Sequence, residues 1–395
     1  MINVKIKAAI CIQLLFLMIY TACETTPVPK EEQIYAKEDA IEFFRIADDY
    51  LGKGMYPQAI TNLSTAIEID PDYLRAYFGR GAVYQYLKRY LEAIQDYTHV
   101  IRLGNQDIIE YSQAYLLRGF AYNVIEEYEQ AISDITNALE IGLQKPHDAS
   151  AHSGLSFSYY RQGKFMEAFA EINTAINLDP TISDYFDDRA QIYYIFKDYL
   201  RAFEDWKMSL RLNPNSAQTY SNLGVVTRDL GLYDESLNYF SQAISLEPNY
   251  FEAYNGRGWT QIHLGNNAEA FRDFTRAIHI DPRNPNGYNG RGYSNLIFGR
   301  YNEALNDFNM AIRLASEESS HYIGRSGAYF GLERYNEALS DLNRSLELDP
   351  NNINGYTSRG NFYNRLAEIT RDESLKNGYL EKARADFEKA EMLSN

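Results

Sequence analysis

The chain has 395 residues with 54 acidic and 38 basic side chains, giving a net charge of −16. This acidity argues against nucleic acid or an anionic lipid surface as a broad partner, because phosphate binding needs a positive field. The only cysteines are Cys11 and Cys23, which excludes a disulfide framework or a thiolate metal site beyond residue 23.

Residues 1–23 form a class of their own. Lys5 and Lys7 precede an apolar run from Ala8 to Tyr20, followed by Thr21-Ala22-Cys23. The run is short of the roughly 20 residues a bilayer span needs, and its charged start and small-residue end have the layout of a secretory signal. The segment resembles a bacterial lipoprotein signal. That resemblance implies a signal peptide over residues 1–22, acylation of Cys23, and a lipid-anchored tether over residues 23–39 containing Pro27 and Pro29. It also implies a membrane-anchored place at the cell envelope facing the periplasm, with the choice of inner or outer membrane open. Tyr20 departs from that family, which usually has an aliphatic residue there. Ordinary cleavage after Ala22, an uncleaved anchor and a chance hydrophobic leader compete for the same residues. Removing the leader takes Lys5 and Lys7 with it and leaves −18.

From residue 40 to 393 the chain repeats itself. In Asn289 to Leu314 a first amphipathic helix ends at the turn Gly299-Arg300, and a second carries Ala304, Leu305, Phe308, Ala311 and Ile312 on one face. The small residue of the first helix recurs as Ala47, Gly81, Gly119, Ser156, Ala190, Gly224, Gly258, Gly292, Ser326 and Gly360. From Ser156 to Gly360 are six steps of 34. A small residue of the second helix follows, from Ala59 to Ala383, usually with an aromatic three residues before it, as at Tyr56, Tyr90 and Tyr301. Proline closes most units, as at Pro71, Pro214 and Pro350.

This 34-residue helix pair resembles the tetratricopeptide repeat (TPR). The resemblance implies an all-α, right-handed superhelical solenoid of about ten helix-turn-helix repeats. They lie near residues 40–73, 74–107, 112–145, 149–182, 183–216, 217–250, 251–284, 285–318, 319–352 and 353–393. Each pair leaves an apolar face that only its neighbour covers, so the array shares one core. The register breaks near 104–110, near 142–149, and between Leu366 and Gly378, where a longer link between helices is expected.

Comparing the repeats with one another exposes a paired position. Arg80, Arg118, Arg189, Arg257, Arg291, Arg325 and Arg359 each precede the first-helix small residue. The same seven repeats carry Asp96, Asp134, Asp205, Asp273, Asp307, Asp341 and Asp386 on the second helix. The other three repeats have Ile46 with Asn62, Leu155 with Glu171, and Leu223 with Tyr239. Arginine and aspartate come and go together, so these are read as structural salt bridges within a repeat and not as a phosphate-binding row.

No catalytic pattern emerges, and no cofactor or metal is expected. The six histidines show no HExxH spacing. Gly154-Leu155-Ser156-Phe157-Ser158 begins like a nucleophile elbow but ends in serine and has no strand before it. The chain therefore reads as a non-catalytic scaffold, and function is expected at a surface.

In TPR proteins the first helices line a concave groove. Carrying its positions over places Asn255, Trp259, Asn289, Tyr293, Phe120 and Phe157 there as the candidate partner-binding residues. Packing of the aromatic rings between helices is the competing reading. The partner is expected to be a protein or peptide, with a small apolar ligand handed to a transporter as the alternative.

Overall fold

The computed structural model describes residues 34–394 apart from 105–108, 144 and 146; the leader, Cys23 and the first part of the tether lie outside the described residues. The described residues form twenty helices and no strand. The chain divides into two units, Met1–Phe196 and Lys197–Asn395.

The described part of the first unit contains α1 (Ile34–Gly52), α2 (Tyr56–Ile69), α3 (Leu74–Tyr86), α4 (Tyr90–Leu103), α5 (Ile109–Val124), α6 (Tyr128–Ile141), α7 (His147–Arg161), α8 (Phe165–Leu178) and α9 (Ser183–Ile195). The second contains α10 (Tyr199–Leu212), α11 (Ala217–Asp229), α12 (Tyr233–Leu246), α13 (Phe251–His263), α14 (Asn267–Ile280), α15 (Pro285–Ile297), α16 (Tyr301–Leu314), α17 (Ser319–Gly331), α18 (Tyr335–Leu348), α19 (Ile353–Ile369) and α20 (Glu373–Ser394). The division falls inside the fifth repeat. In each unit a first helix packs on its own second helix and on the second helix of the preceding repeat. In the second unit consecutive first helices also touch, whereas second helices make their main contacts with first helices.

Aromatic side chains seat on glycines to bring the helices together. A Cβ on Gly258 would lie 2.8 Å from the Phe274 ring, and one on Gly290 of the next repeat 2.3 Å from the same ring. Phe240 fits between Gly224 and Gly256 in the same way, and Phe308 between Gly292 and Gly324. All three phenylalanines are fully buried. Only hydrogen at these glycines leaves room for a ring of that size.

Six of the seven arginine–aspartate pairs lie within one unit and close with two hydrogen bonds each. Arg80 on Asp96, Arg118 on Asp134 and Arg257 on Asp273 span 2.7 to 2.9 Å. Arg291 on Asp307, Arg325 on Asp341 and Arg359 on Asp386 span 2.6 to 3.0 Å. Asp273 holds Arg257 above its ordinary pKa through these bonds, against the opposing effect of burial. Arg189 and Asp205 belong to different units.

The arginines also reach backwards along the array. Nη1 of Arg80 donates to Ser64, that of Arg118 to Thr98 and that of Arg189 to Asn173, all at 2.8 to 2.9 Å. Arg257 reaches Ser241 at 3.1 Å, and Arg325 and Arg359 reach Asn309 and Asn343 at 2.8 Å. Each of these hydroxyls or amides sits on the second helix of the preceding repeat, so one guanidinium ties neighbouring repeats together.

Two segments differ from the sequence reading. The tether was expected to run to residue 39, but residues 34–39 are already part of α1; they hold neither proline nor glycine, so nothing in them interrupts the helix. The extra residues after Leu366 lengthen the helices instead of the link. α19 runs on to Ile369 because Leu366 and Ala367 are buried, and Asp372 accepts from the amides of Ser374 and Leu375 to start α20.

The turn inside a repeat needs one residue with positive φ. Glycine supplies it at Gly54, Gly163, Gly231, Gly265 and Gly299, but Lys88, Glu126, Lys197 and Glu333 adopt it with side chains. Glu333→Gly is expected to stabilise the protein by about 0.5–1 kcal/mol, the left-handed cost relieved less glycine's extra entropy in the unfolded chain. Chemical unfolding of that variant measures it, and a loss of stability would contradict the strain argument.

His321 is fully buried; its Nε2 has no hydrogen-bond partner and its Nδ1 lies 3.4 Å from the Ala315 carbonyl. Burial lowers its pKa below 6.5, and His147 is lowered for the same reason. The fold favours the neutral ring while the unfolded chain takes up a proton. Their contribution to stability is therefore complete above pH 6.5 and is lost as pH falls through the folded value. The melting temperature should drop on acidification through this window, and His321→Asn should flatten the slope. An unchanged slope would show that the ring plays no part.

Candidate functional site

The sequence places Asn255 and Trp259 on α13 and Asn289 and Tyr293 at the matching positions of α15. In the structure Trp259 and Tyr293 are half-buried and meet edge to face, with centroids 5.4 Å apart at 62°. Behind them Trp259 stands against Phe274 and Tyr293 against Phe308, each at 5.4 Å. The line Phe274, Trp259, Tyr293, Phe308 is thus anchored at both ends in the glycine-seated core. Its two inner residues keep partial exposure. Burial pushes the Tyr293 phenol up to about 12, so it stays neutral and acts as an apolar body with a polar tip.

One turn before each ring, Oδ1 of Asn255 and Oδ1 of Asn289 are shielded and have no hydrogen-bond partner. A shielded acceptor left unpaired costs about 1–3 kcal/mol, so each amide favours whatever brings it an N–H or O–H donor.

The surroundings are uncharged. At the three positions per repeat that define this face, the seventh to tenth repeats carry Asn255, Trp259, Ile262, Asn289, Tyr293, Leu296, Ile323, Gly327, Phe330, Thr357, Asn361 and Asn364, with no charge among the twelve. The sixth repeat adds one cation, Arg228, which is neutralised by Asp229 at 2.9 Å. Glu252 and Arg365 flank the face, the latter lying over the Phe330 ring.

The first unit departs from expectation. Phe157, placed in the groove from sequence, is a core residue with 7% exposure, its ring edge-on to Tyr128. The register fixed its position along the helix, but the neighbouring helix covers it. Phe120 is half-buried and lies across Gly154, where a Cβ would come within 2.5 Å of the ring; it packs α5 on α7. Ser156 and Ser158, from the elbow-like run, donate to the Ala168 carbonyl at 2.8 Å and to Asn123 Oδ1 at 2.7 Å. Both hydroxyls serve packing.

Sequence reasoning overlooked a neutral network at the start of the second unit's face. Tyr250 donates to Gln218 at 2.7 Å, and Gln218 donates to Asn222 at 3.1 Å. The neutral side chains at Gln218 and Asn222 were the available signal. Among the described residues no His, Cys, Asp and Glu cluster has the arrangement of a metal site, and no helix is long and apolar enough to cross a membrane.

Comparisons with known proteins bear on the family. Family models described as TPR repeat and tetratricopeptide repeat match residues 47–88, 74–106, 222–285 and 322–352. No curated protein matches the chain. Among solved structures, a tetratricopeptide repeat protein from Parabacteroides merdae superposes with a TM-score of 0.53 at 17% identity, covering 69% of this chain and 98% of its own. Yeast Tom70 covers 89% of each chain at 17% identity with a TM-score of 0.46. Pseudomonas aeruginosa PilF covers 56% of this chain and 97% of its own at 17% identity and 0.48. At these identities the first likeness speaks to the fold alone, and the other two carry no argument. Together, the repeated helix pair, the glycine-seated packing and the matching family models make the chain a tetratricopeptide repeat protein, built on a scaffold fold that typically mediates protein–protein interactions.

Proposed function

We propose that this protein is a non-catalytic adaptor, anchored by acyl chains on Cys23 at the cell envelope and facing the periplasm, that holds a protein or peptide partner on the first-helix face of its second unit. The observation that carries the reading is the pair of half-buried rings, Trp259 and Tyr293, each with an unpartnered asparagine acceptor one turn away. A ring beside an unpaired carboxamide suits a chain that offers apolar side chains and backbone N–H groups together. The anchor rests on Lys5, Lys7, the apolar run and the single cysteine at its end.

Two measurements test the two halves. Cys23→Ala should move the protein from the detergent fraction to the soluble one, since acyl chains supply most of such membrane affinity; an unchanged distribution removes the anchor. Partner captured by the mature chain should bind Trp259→Ala more weakly by about 2 kcal/mol with helicity retained. Undiminished capture would move the site elsewhere.

A further inference from the structure

The face of the second unit carries information about the chemistry of its occupant. We infer that it binds an extended peptide segment free of charged side chains, recognised through its backbone N–H groups and through apolar side chains laid on the rings. This inference rests on the proposed groove and goes on to name what fills it.

Three observations lead there. Charged residues make up 23% of the chain, which would place about three among the twelve face positions of the last four repeats, yet there are none. An acidic segment would meet a chain of net charge −16 with no cation among the twelve positions: Arg228 is taken by Asp229, and Arg365 stands at the edge over the Phe330 ring. A basic segment would give up its hydration with no carboxylate among the twelve positions, Glu252 lying at the edge of the face. Only an uncharged segment avoids both costs.

The second observation is the unsatisfied chemistry. Both groove asparagines have a shielded Oδ1 that lacks a donor, so an amide turned toward the occupant would leave no paired acceptor behind. A peptide backbone offers N–H and C=O together, the complement of a carboxamide, which has one acceptor and two donors.

The third is repetition. Asn255 with Trp259 and Asn289 with Tyr293 are the same subsite in adjacent repeats, and their rings touch at 5.4 Å. Two equivalent neighbouring subsites fit a ligand whose own chemistry repeats along its length, as an extended backbone does.

The test pans a random short-peptide display library against the full mature chain, followed by affinity measurements on the enriched peptides. The expected result is a set of peptides sharing a run without Asp, Glu, Lys or Arg. Raising NaCl tenfold should change their affinity by less than about twofold, because there is no charge pair to screen. N-methylation within the run, or Asn289→Leu, should each weaken binding about fivefold or more by removing one buried hydrogen bond. Trp259→Ala should weaken it about tenfold or more. Asn289→Leu keeps the volume and serves where Trp259→Ala perturbs folding.

Enriched peptides that are charged and salt-sensitive, yet still depend on Trp259, would overturn the inference and leave the groove reading intact. Enriched peptides indifferent to both Trp259→Ala and Asn289→Leu would overturn the groove reading itself. Groove-dependent binding of neutral oligosaccharides, with no peptide enriched, would overturn the peptide assignment.

Discussion

Arg257→Leu is expected to destabilise the second unit by about 3 kcal/mol, because it strands a carboxylate in a site with almost no water. Asp273 is 6% exposed, and both of its oxygens are held by Arg257. Leucine fills part of the space but donates nothing, and the bond to Ser241 that ties the preceding repeat is lost as well. The equivalent change at Arg291 should cost less, since Asn295 also donates to Asp307 at 3.0 Å and would remain. Arg257→Leu combined with Asp273→Leu should recover most of the loss, as an apolar pair replaces an ion pair without leaving a stranded charge. Urea unfolding of the three variants beside the parent protein reads these differences. Equal costs at the two arginines, or no recovery in the double variant, would refute the account.

Gly324→Ala is the second large effect. Alanine is the better helix former by about 1 kcal/mol, so helix propensity alone predicts a gain. Packing reverses the sign. The new Cβ would stand 2.2 Å from Phe308 Cε1, a fully buried ring already seated on Gly292 on its other side. Overpacking of this kind costs about 3 kcal/mol, because neither the ring nor the helix has room to yield. Phe308→Leu in the same chain should restore much of the stability. The ninth repeat already uses this solution, with Leu342 where Phe308 stands and Ser326 and Ser358 at the positions of Gly292 and Gly324. The same glycine-to-alanine change at Gly378, where nothing lies within 4 Å of the added carbon, should be stabilising. A destabilised Gly378→Ala or a tolerated Gly324→Ala would show that the glycine seats are not what sets the packing.

These effects separate two kinds of information in the chain. Helix pairing was legible because the repeats are copies: a pattern written ten times averages out the ambiguity of any single window. The arginine–aspartate pairing was legible for the same reason, since three repeats lack both partners together. Its second half was not. The hydroxyl or amide that receives Nη1 varies among Ser64, Thr98, Asn173, Ser241 and Asn309, and a position with no fixed residue type leaves no pattern to read.

The candidate site was legible only as a register. Sequence alone determined which residues occupy equivalent helical positions, because a 34-residue period preserves the phase of every helix. It therefore placed Asn255, Trp259, Asn289 and Tyr293 in one row with Phe120 and Phe157. Tertiary structure decided which of these reach solvent. Phe157 is sealed under its neighbours, whereas Phe120, Trp259 and Tyr293 are all half-buried; Phe120 lies across Gly154, and Trp259 and Tyr293 stand beside two unpaired asparagine acceptors. The physical reason is that exposure depends on the volume of side chains arriving from adjacent repeats. That volume is a property of three helices packed together, and no single helix encodes it.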